Sequence, residues 1–164
     1  MEKDDALNIR SDSKDPRGRI LANPTHTPFQ IGKLIFLSVE SALQGIKFED
    51  EKKQRKVFTM RGKDALKAGR EITNSIKDGE EHFVYWNSRQ IVYNSDEHRF
   101  IIGLFLYAKM WQNPEVQEAL LSTKGTFIYH NVGLEHPNTS LPEKFYIKFL
   151  LSLRGMLEGL RDIK

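Results

Sequence analysis

Apolar positions along the chain fall into short strand-like runs separated by longer runs at helical spacing. Phe29–Phe36 reads as a strand pair turning near Gly32-Lys33. Ser38 is a good N-cap, because its hydroxyl can accept from the free amides of a first turn, and predicts a helix over about 39–49. Helices over about 51–60 and 63–77 follow, with Gly79 closing that block in the left-handed conformation. His82–Trp86 fits either a strand or the approach to a helix. Ser95–Trp111 is helical and apolar nearly all round at its C-terminal end, which places it at the centre of a domain. Asn113-Pro114 opens a helix to about Ser122, and Gly125–His130 reads as a strand. After a loop over 131–141, Pro142 starts a last helix with Phe145, Phe149, Leu150, Leu153, Met156, Leu157 and Leu160 at helical spacing. Residues 1–18 are polar and read as a tail or loosely held lead-in. The expected architecture is α+β: a single helix-dominated domain over 19–164 with a few short strands.

Composition narrows the chemistry. The 164 residues include no cysteine, which excludes disulfides, a thiol nucleophile, zinc-thiolate sites and iron–sulfur clusters. No two of the five histidines lie three to five residues apart, so helical metal-pair spacing is absent and no metal is expected. A formal net charge of +3 permits a phosphate-bearing ligand without requiring one. The longest apolar stretch, Phe100–Ala108, is too short to span a bilayer. The charged N-terminus does not resemble a secretory signal, so the expectation is a soluble, cytoplasmic protein with no membrane partner.

Three groups of residues stand out. At about 100° per residue, Glu40, Gln44 and Lys47 lie within roughly 60° of one another. Val39, Leu43 and Ile46 form an apolar stripe beside them. A carboxylate, an amide and an ammonium on the edge of a core-facing helix suit the wall of a cleft, although a solvated amphipathic face has the same pattern. Lys109 sits in an otherwise apolar helix, where it either snorkels out or pairs within a pocket. Trp111 and Trp86 are candidates to stack on a base or to fill the core. Residues 51–72 carry a local excess of five positive charges, suited to phosphate or simply to a solvated helix face. No Ser/His/Asp arrangement, Walker loop or dinucleotide glycine fingerprint is present.

Ser38-Val39-Glu40 … Gln44 … Lys47-Phe48 resembles the NADAR (YbiA-like) superfamily signature S/T-x-E-H-Y-x-Q-x-x-K-F. Asp64–Arg70 resembles that family's "eAkklGR" helix, and Ala108–Glu115 with Leu120–Thr123 resembles its "AKF-x-QNPEL … LLaT" segment. Leu21-Ala22-Asn23 stands where the family has L-S-N, and the last helix fits its closing element. The resemblance runs collinearly over about residues 20–160. Ser41 and Ala42 replace the usual His and Tyr, and Asn131–Leu134 occupies the neighbourhood of a missing W-G-x-G run.

The resemblance implies an N-glycosidase acting on an ADP-ribosyl or phosphoribosyl substrate. Examples are ADP-ribosylated guanine in nucleic acid and a phosphoribosylamino-pyrimidine of riboflavin biosynthesis. It also implies a connection with NAD metabolism and phage–host conflict, and no cofactor. In that setting Glu40 is the expected catalytic carboxylate, stabilising oxocarbenium character or positioning water. Lys47 or Lys109 would hold a phosphate, Gln44 and Asn23 would bond ribose hydroxyls or the base, and Trp111 would stack on the base. Gly69, Arg70 and Gln112 complete the candidate binding set, and Asp96 and Glu97 are candidates for protonating the departing base. Two other functions fit the same residues: a non-catalytic binder that sequesters an ADP-ribose-derived nucleotide, and a basic nucleic-acid binder using residues 51–72.

Overall fold

A computed structural model describes residues 6–163, so Met1–Asp5 of the expected tail and Lys164 lie outside the described residues. In chain order the elements are β1 (Ala6–Asn8), α1 (Pro16–Leu21), β2 (Phe29–Ile31), β3 (Leu34–Phe36), α2 (Val39–Gly45), α3 (Glu51–Phe58) and α4 (Gly62–Ser75). They continue with β4 (Phe83–Trp86), β5 (Arg89–Val92), α5 (Asp96–Gln112), α6 (Pro114–Ser122), β6 (Phe127–Tyr129) and α7 (Glu143–Asp162). The strands form three separate two-stranded ribbons: β1 with β6 in parallel, and the hairpins β2–β3 and β4–β5. The expected helix-dominated α+β domain is what forms.

Local chemistry sets the element boundaries. The Ser38 hydroxyl accepts from the Ser41 amide at 3.0 Å, and the Ser41 hydroxyl accepts from the Ser38 amide at 3.1 Å, a reciprocal cap that starts α2. The helix stops at Gly45, short of the expected 49, but Lys47 and Phe48 continue it with tighter bonds to the carbonyls of Gln44 and Gly45. Gly32 turns β2 into β3 at φ +58°, as expected. His82–Trp86 resolves as the strand β4, beginning at Phe83. Its partner β5 has no sequence cue, because the hairpin turns on Asn87-Ser88, both at positive φ, rather than on a glycine pair. Gly79 is left-handed, but it serves a turn beyond α4, which already ends at Ser75.

The described part of the polar lead-in is folded in. Leu7 and Ile9 are buried, β1 pairs with β6, and Asp15 caps α1 by accepting from the Arg17 amide at 2.8 Å. Leu7 and Ile9 alternate only with Asn8, too short a run to read as a strand.

Helix α5 is the spine of the core, with Ile101, Ile102, Phe105, Leu106 and Met110 all buried. Phe36 lies 4.5 Å from the Phe58 ring and 5.4 Å from Phe105, and Trp86 meets Phe105 edge-on at 5.3 Å. Trp86 is therefore a core aromatic.

Helical glycines divide by what surrounds them. A Cβ at Gly45 would sit 2.3 Å from two atoms of the Phe58 ring, whereas one at Gly155 would meet nothing within 4 Å. Gly155→Ala is expected to stabilise the protein by about 1 kcal/mol in urea unfolding, the ordinary gain in helix propensity. Gly45→Ala is expected to destabilise it by about 1–3 kcal/mol, because overpacking against a fixed ring outweighs that gain. Equal responses at the two positions would contradict the packing described.

Candidate active site

Helices α2 and α4 pack side by side and bring their polar edges together. Glu40, Gln44 and Lys47 do share one edge of α2, and α4 supplies Leu66, Gly69, Arg70 and Thr73 at spacings of three and four residues. The Gln44 amide donates to Glu40 Oε1 at 2.7 Å, and the Lys47 ammonium donates to Thr73 Oγ1 at 3.0 Å. Gln44 reaches Glu40 because residue 69 is glycine: a Cβ there would lie 1.7 Å from Gln44 Oε1. That oxygen is buried without a hydrogen-bond partner.

Beside this edge is a cavity of about 340 Å³ with Gln44, Lys47, Arg70, Thr73 and Tyr93 in its wall and residues 136 and 138–140 across it. A larger cavity of about 890 Å³ adjoins it at Leu66 and is lined by Pro24, His26, Ser38, Arg61 and Lys63 among others. Glu40 is itself in the wall of neither cavity; it lies on α2 between Ser38 of the larger one and Gln44 of the smaller one, and meets the smaller through its bond to Gln44.

Burial pushes the Glu40 carboxyl above the usual carboxylate range. The Gln44 amide, then the positive charges of Lys47 and Arg70 and that of His130, pull the other way. Burial also lowers the Lys47 ammonium, opposed by Glu40 and reinforced by Arg70. The site is a desolvated carboxylate among cations, an arrangement suited to meeting positive charge that develops on a bound sugar and negative charge on a phosphate.

The remaining candidates are placed elsewhere or differently. Asn23 is buried beside Glu40: its backbone carbonyl accepts the Glu40 amide at 2.9 Å, and its Oδ1 is buried without a partner. Lys109 lines neither cavity. It is 3% exposed and donates to the carbonyls of Leu21 and Ala22, so it neither snorkels nor reaches a phosphate. Trp111 is 50% exposed and stacks on Tyr107 along the outer side of α5, away from both cavities. Gln112 bonds both the amide and the carbonyl of Gln30, each at 2.8 Å, and so fastens β2 to α5. Asp96 and Glu97 are exposed in the first turn of α5, where Glu97 pairs with Arg89 at 2.8 Å. Ser41 and Ala42 are both 0% exposed, so these departures from the motif lie in the core, not in the cavity wall.

Several site residues have no sequence expectation behind them. Thr73 and Asn74 continue the Arg70 edge of α4 and were readable from helical spacing. Tyr93, His130 and the residues at 136–140 come from loops and strand ends, where no period connects them to α2.

Burial alone holds the Lys109 amine at about 7, against an ordinary value of 10.5. Between those values the folded state binds fewer protons than the unfolded one, so stability rises with pH across that interval and is lost as pH falls through it. Lys109→Met is expected to flatten this rise in urea unfolding. An equally steep rise in the variant would show that Lys109 is not its source.

Three comparisons with known proteins bear on this arrangement. The family model for bacteriophage protein GP30.3 matches residues 17–155. The chain belongs to that family. It is a phage family of the NADAR type, as the motif resemblance implied. One relative is an uncharacterized 17.1 kDa protein of the Gp30-rIII intergenic region of Enterobacteria phage T4. It is 28% identical over 153 residues, covering 92% of this chain and 98% of the phage protein. The fold is also similar to the NMR structure of the E. coli protein YbiA, with a TM-score of 0.63 and 18% identity, covering 100% of this chain and 90% of that one. No helix among the described residues of this GP30.3-family chain is long and apolar enough to cross a membrane.

Proposed function

We propose that this GP30.3-family protein is an N-glycosidase that hydrolyses the C–N bond between a ribosyl carbon and a base. The substrate is an ADP-ribosyl or phosphoribosyl compound, either free or as an adduct on nucleic acid. The observation that carries this reading is the desolvated Glu40 carboxylate, held by Gln44 beside a cavity walled by Lys47 and Arg70. As the bond breaks, the electron pair leaves with the base and positive charge develops on the sugar. Glu40 stabilises that charge or orients the water whose hydroxyl adds to the ribosyl carbon. Lys47 and Arg70 neutralise phosphate, and the amides of Gln44 and Asn23 serve the ribose hydroxyls. The departing base takes up a proton.

Membership of a phage family fits a place in phage–host conflict over ADP-ribosyl chemistry. The test is chromatography of a panel incubated with the purified protein: ADP-ribosylated DNA, NAD, cyclic ADP-ribose isomers and a phosphoribosylamino-pyrimidine. Release of free base from one member is expected. Recovery of a bound member intact would replace hydrolysis with sequestration. Binding of plain DNA that weakens steeply with salt, with no base released, would point to a basic nucleic-acid binder.

A further inference from the structure

The Leu21–Asn23 segment is tied down by two buried side chains from distant parts of the sequence. Lys109 Nζ donates to the carbonyls of Leu21 at 3.2 Å and Ala22 at 2.8 Å. The Tyr146 hydroxyl donates to the same Leu21 carbonyl at 2.6 Å. The next carbonyl along, that of Asn23, accepts the amide of Glu40. Three consecutive carbonyls therefore connect α5 and α7, through one short strap, to the backbone of the candidate catalytic carboxylate.

We propose that Lys109 and Tyr146 are positioning residues of the reaction: they fix the Leu21–Asn23 strap, and through it the backbone of Glu40 and the carboxamide of Asn23, without touching substrate. This rests on the glycosidase reading for what is being positioned, but the strap itself is a matter of hydrogen bonds. A buried amine is a costly way to fill space, since burial depresses its protonation and no carboxylate offsets that effect. An apolar side chain would pack there at lower cost. What the amine adds is two directed bonds to the point where α1 ends, at Leu21 and its cap Ala22, and the chain turns toward Glu40. Tyr146 is fully buried, and the Glu40 charge acts on its hydroxyl, which places it within the field of the site. Asn113 steadies the same region, donating to the Lys109 carbonyl at 2.7 Å and to that of Pro28 at 3.0 Å. The unpartnered Asn23 Oδ1 is the group such a strap would present to a hydroxyl donor.

The test uses Tyr146→Phe and Lys109→Met, with two readouts. The first is hydrogen exchange of the Glu40 amide, divided by that of the Val84 amide in the β4–β5 hairpin, which makes no hydrogen bond to the Leu21–Asn23 strap, to remove any global loss of stability. The second is kcat and KM on whichever substrate the wild type cleaves. Both variants are expected to speed Glu40 exchange relative to Val84 and to lower kcat by about ten- to a hundredfold, with little change in KM, the signature of a misplaced reacting group. Unchanged relative exchange in folded variants would overturn the proposal, as would unchanged kcat. If the wild type cleaves nothing, the glycosidase reading fails while the exchange ratio still decides whether the strap holds Glu40. If Lys109→Met does not fold, Tyr146→Phe, which keeps the ring in place, carries the test.

Discussion

Glu40→Gln is expected to lower kcat/KM by about a hundred- to ten-thousandfold while leaving the protein folded and no less stable. The two halves of this expectation have one cause. The carboxylate is desolvated, which gives it leverage over charge developing on a bound sugar and also makes its ionised form a burden on the native state. A neutral amide of the same shape still accepts from Gln44, so the local structure persists. The sign of the pH effect follows. Because the folded-state value of Glu40 is raised, its stabilising contribution is full below the unfolded value and is lost as pH rises through the folded one. Glu40→Gln should lack that decline. The acid limb of the wild-type rate profile should lie above the ordinary carboxylate range. Full activity in Glu40→Gln, with unfolding and kinetics measured on one preparation, would remove Glu40 from the chemistry.

Gly69→Ala is expected to lower kcat by about ten- to a hundredfold with little effect on stability. The new methyl group would lie 1.7 Å from Gln44 Oε1 and 2.6 Å from its Cδ. The two closest atoms belong to the end of a flexible side chain, so the amide swings aside; the third, Gln44 Cβ at 3.0 Å, has to give by a few tenths of an ångström, and alanine's helix propensity offsets part of that cost. Once displaced, the amide no longer donates to Glu40, and the largest influence holding down that carboxyl is gone. The carboxyl should therefore titrate still higher, and the acid limb of the rate profile should move up with it. Adding Gly69→Ala to Gln44→Ala should cost nothing further, since the glycine acts through the amide. Additive losses would mean that Gly69 serves some other contact.

The sequence made the α2 side of the site legible because helical spacing is periodic. Ser38 as cap placed Glu40, Gln44 and Lys47 on one edge, and Arg70 and Gly69 followed from their own helix. Helical spacing gives relative directions, which already put Lys109 and Trp111 on opposite sides of α5, but not which side of a central helix meets the cavity. Lys109, Trp111 and Gln112 lie close together on α5, yet one anchors a strap, one stacks outside and one fastens a strand. Similarly, β1 and β5 are each held by partner strands and a few buried side chains rather than by any pattern of their own. His130 and Tyr93 reach the site only through the tertiary fold, from positions with no spacing relation to Glu40.

The most direct measurement is mass spectrometry of the substrate panel incubated in water labelled with heavy oxygen, using wild type and Glu40→Gln side by side. The expected result is one substrate converted by the wild type alone, with free base released and a single heavy oxygen on the ribosyl product. Complete recovery of every ligand unchanged, or equal conversion by both proteins, would contradict carboxylate-assisted hydrolysis at Glu40.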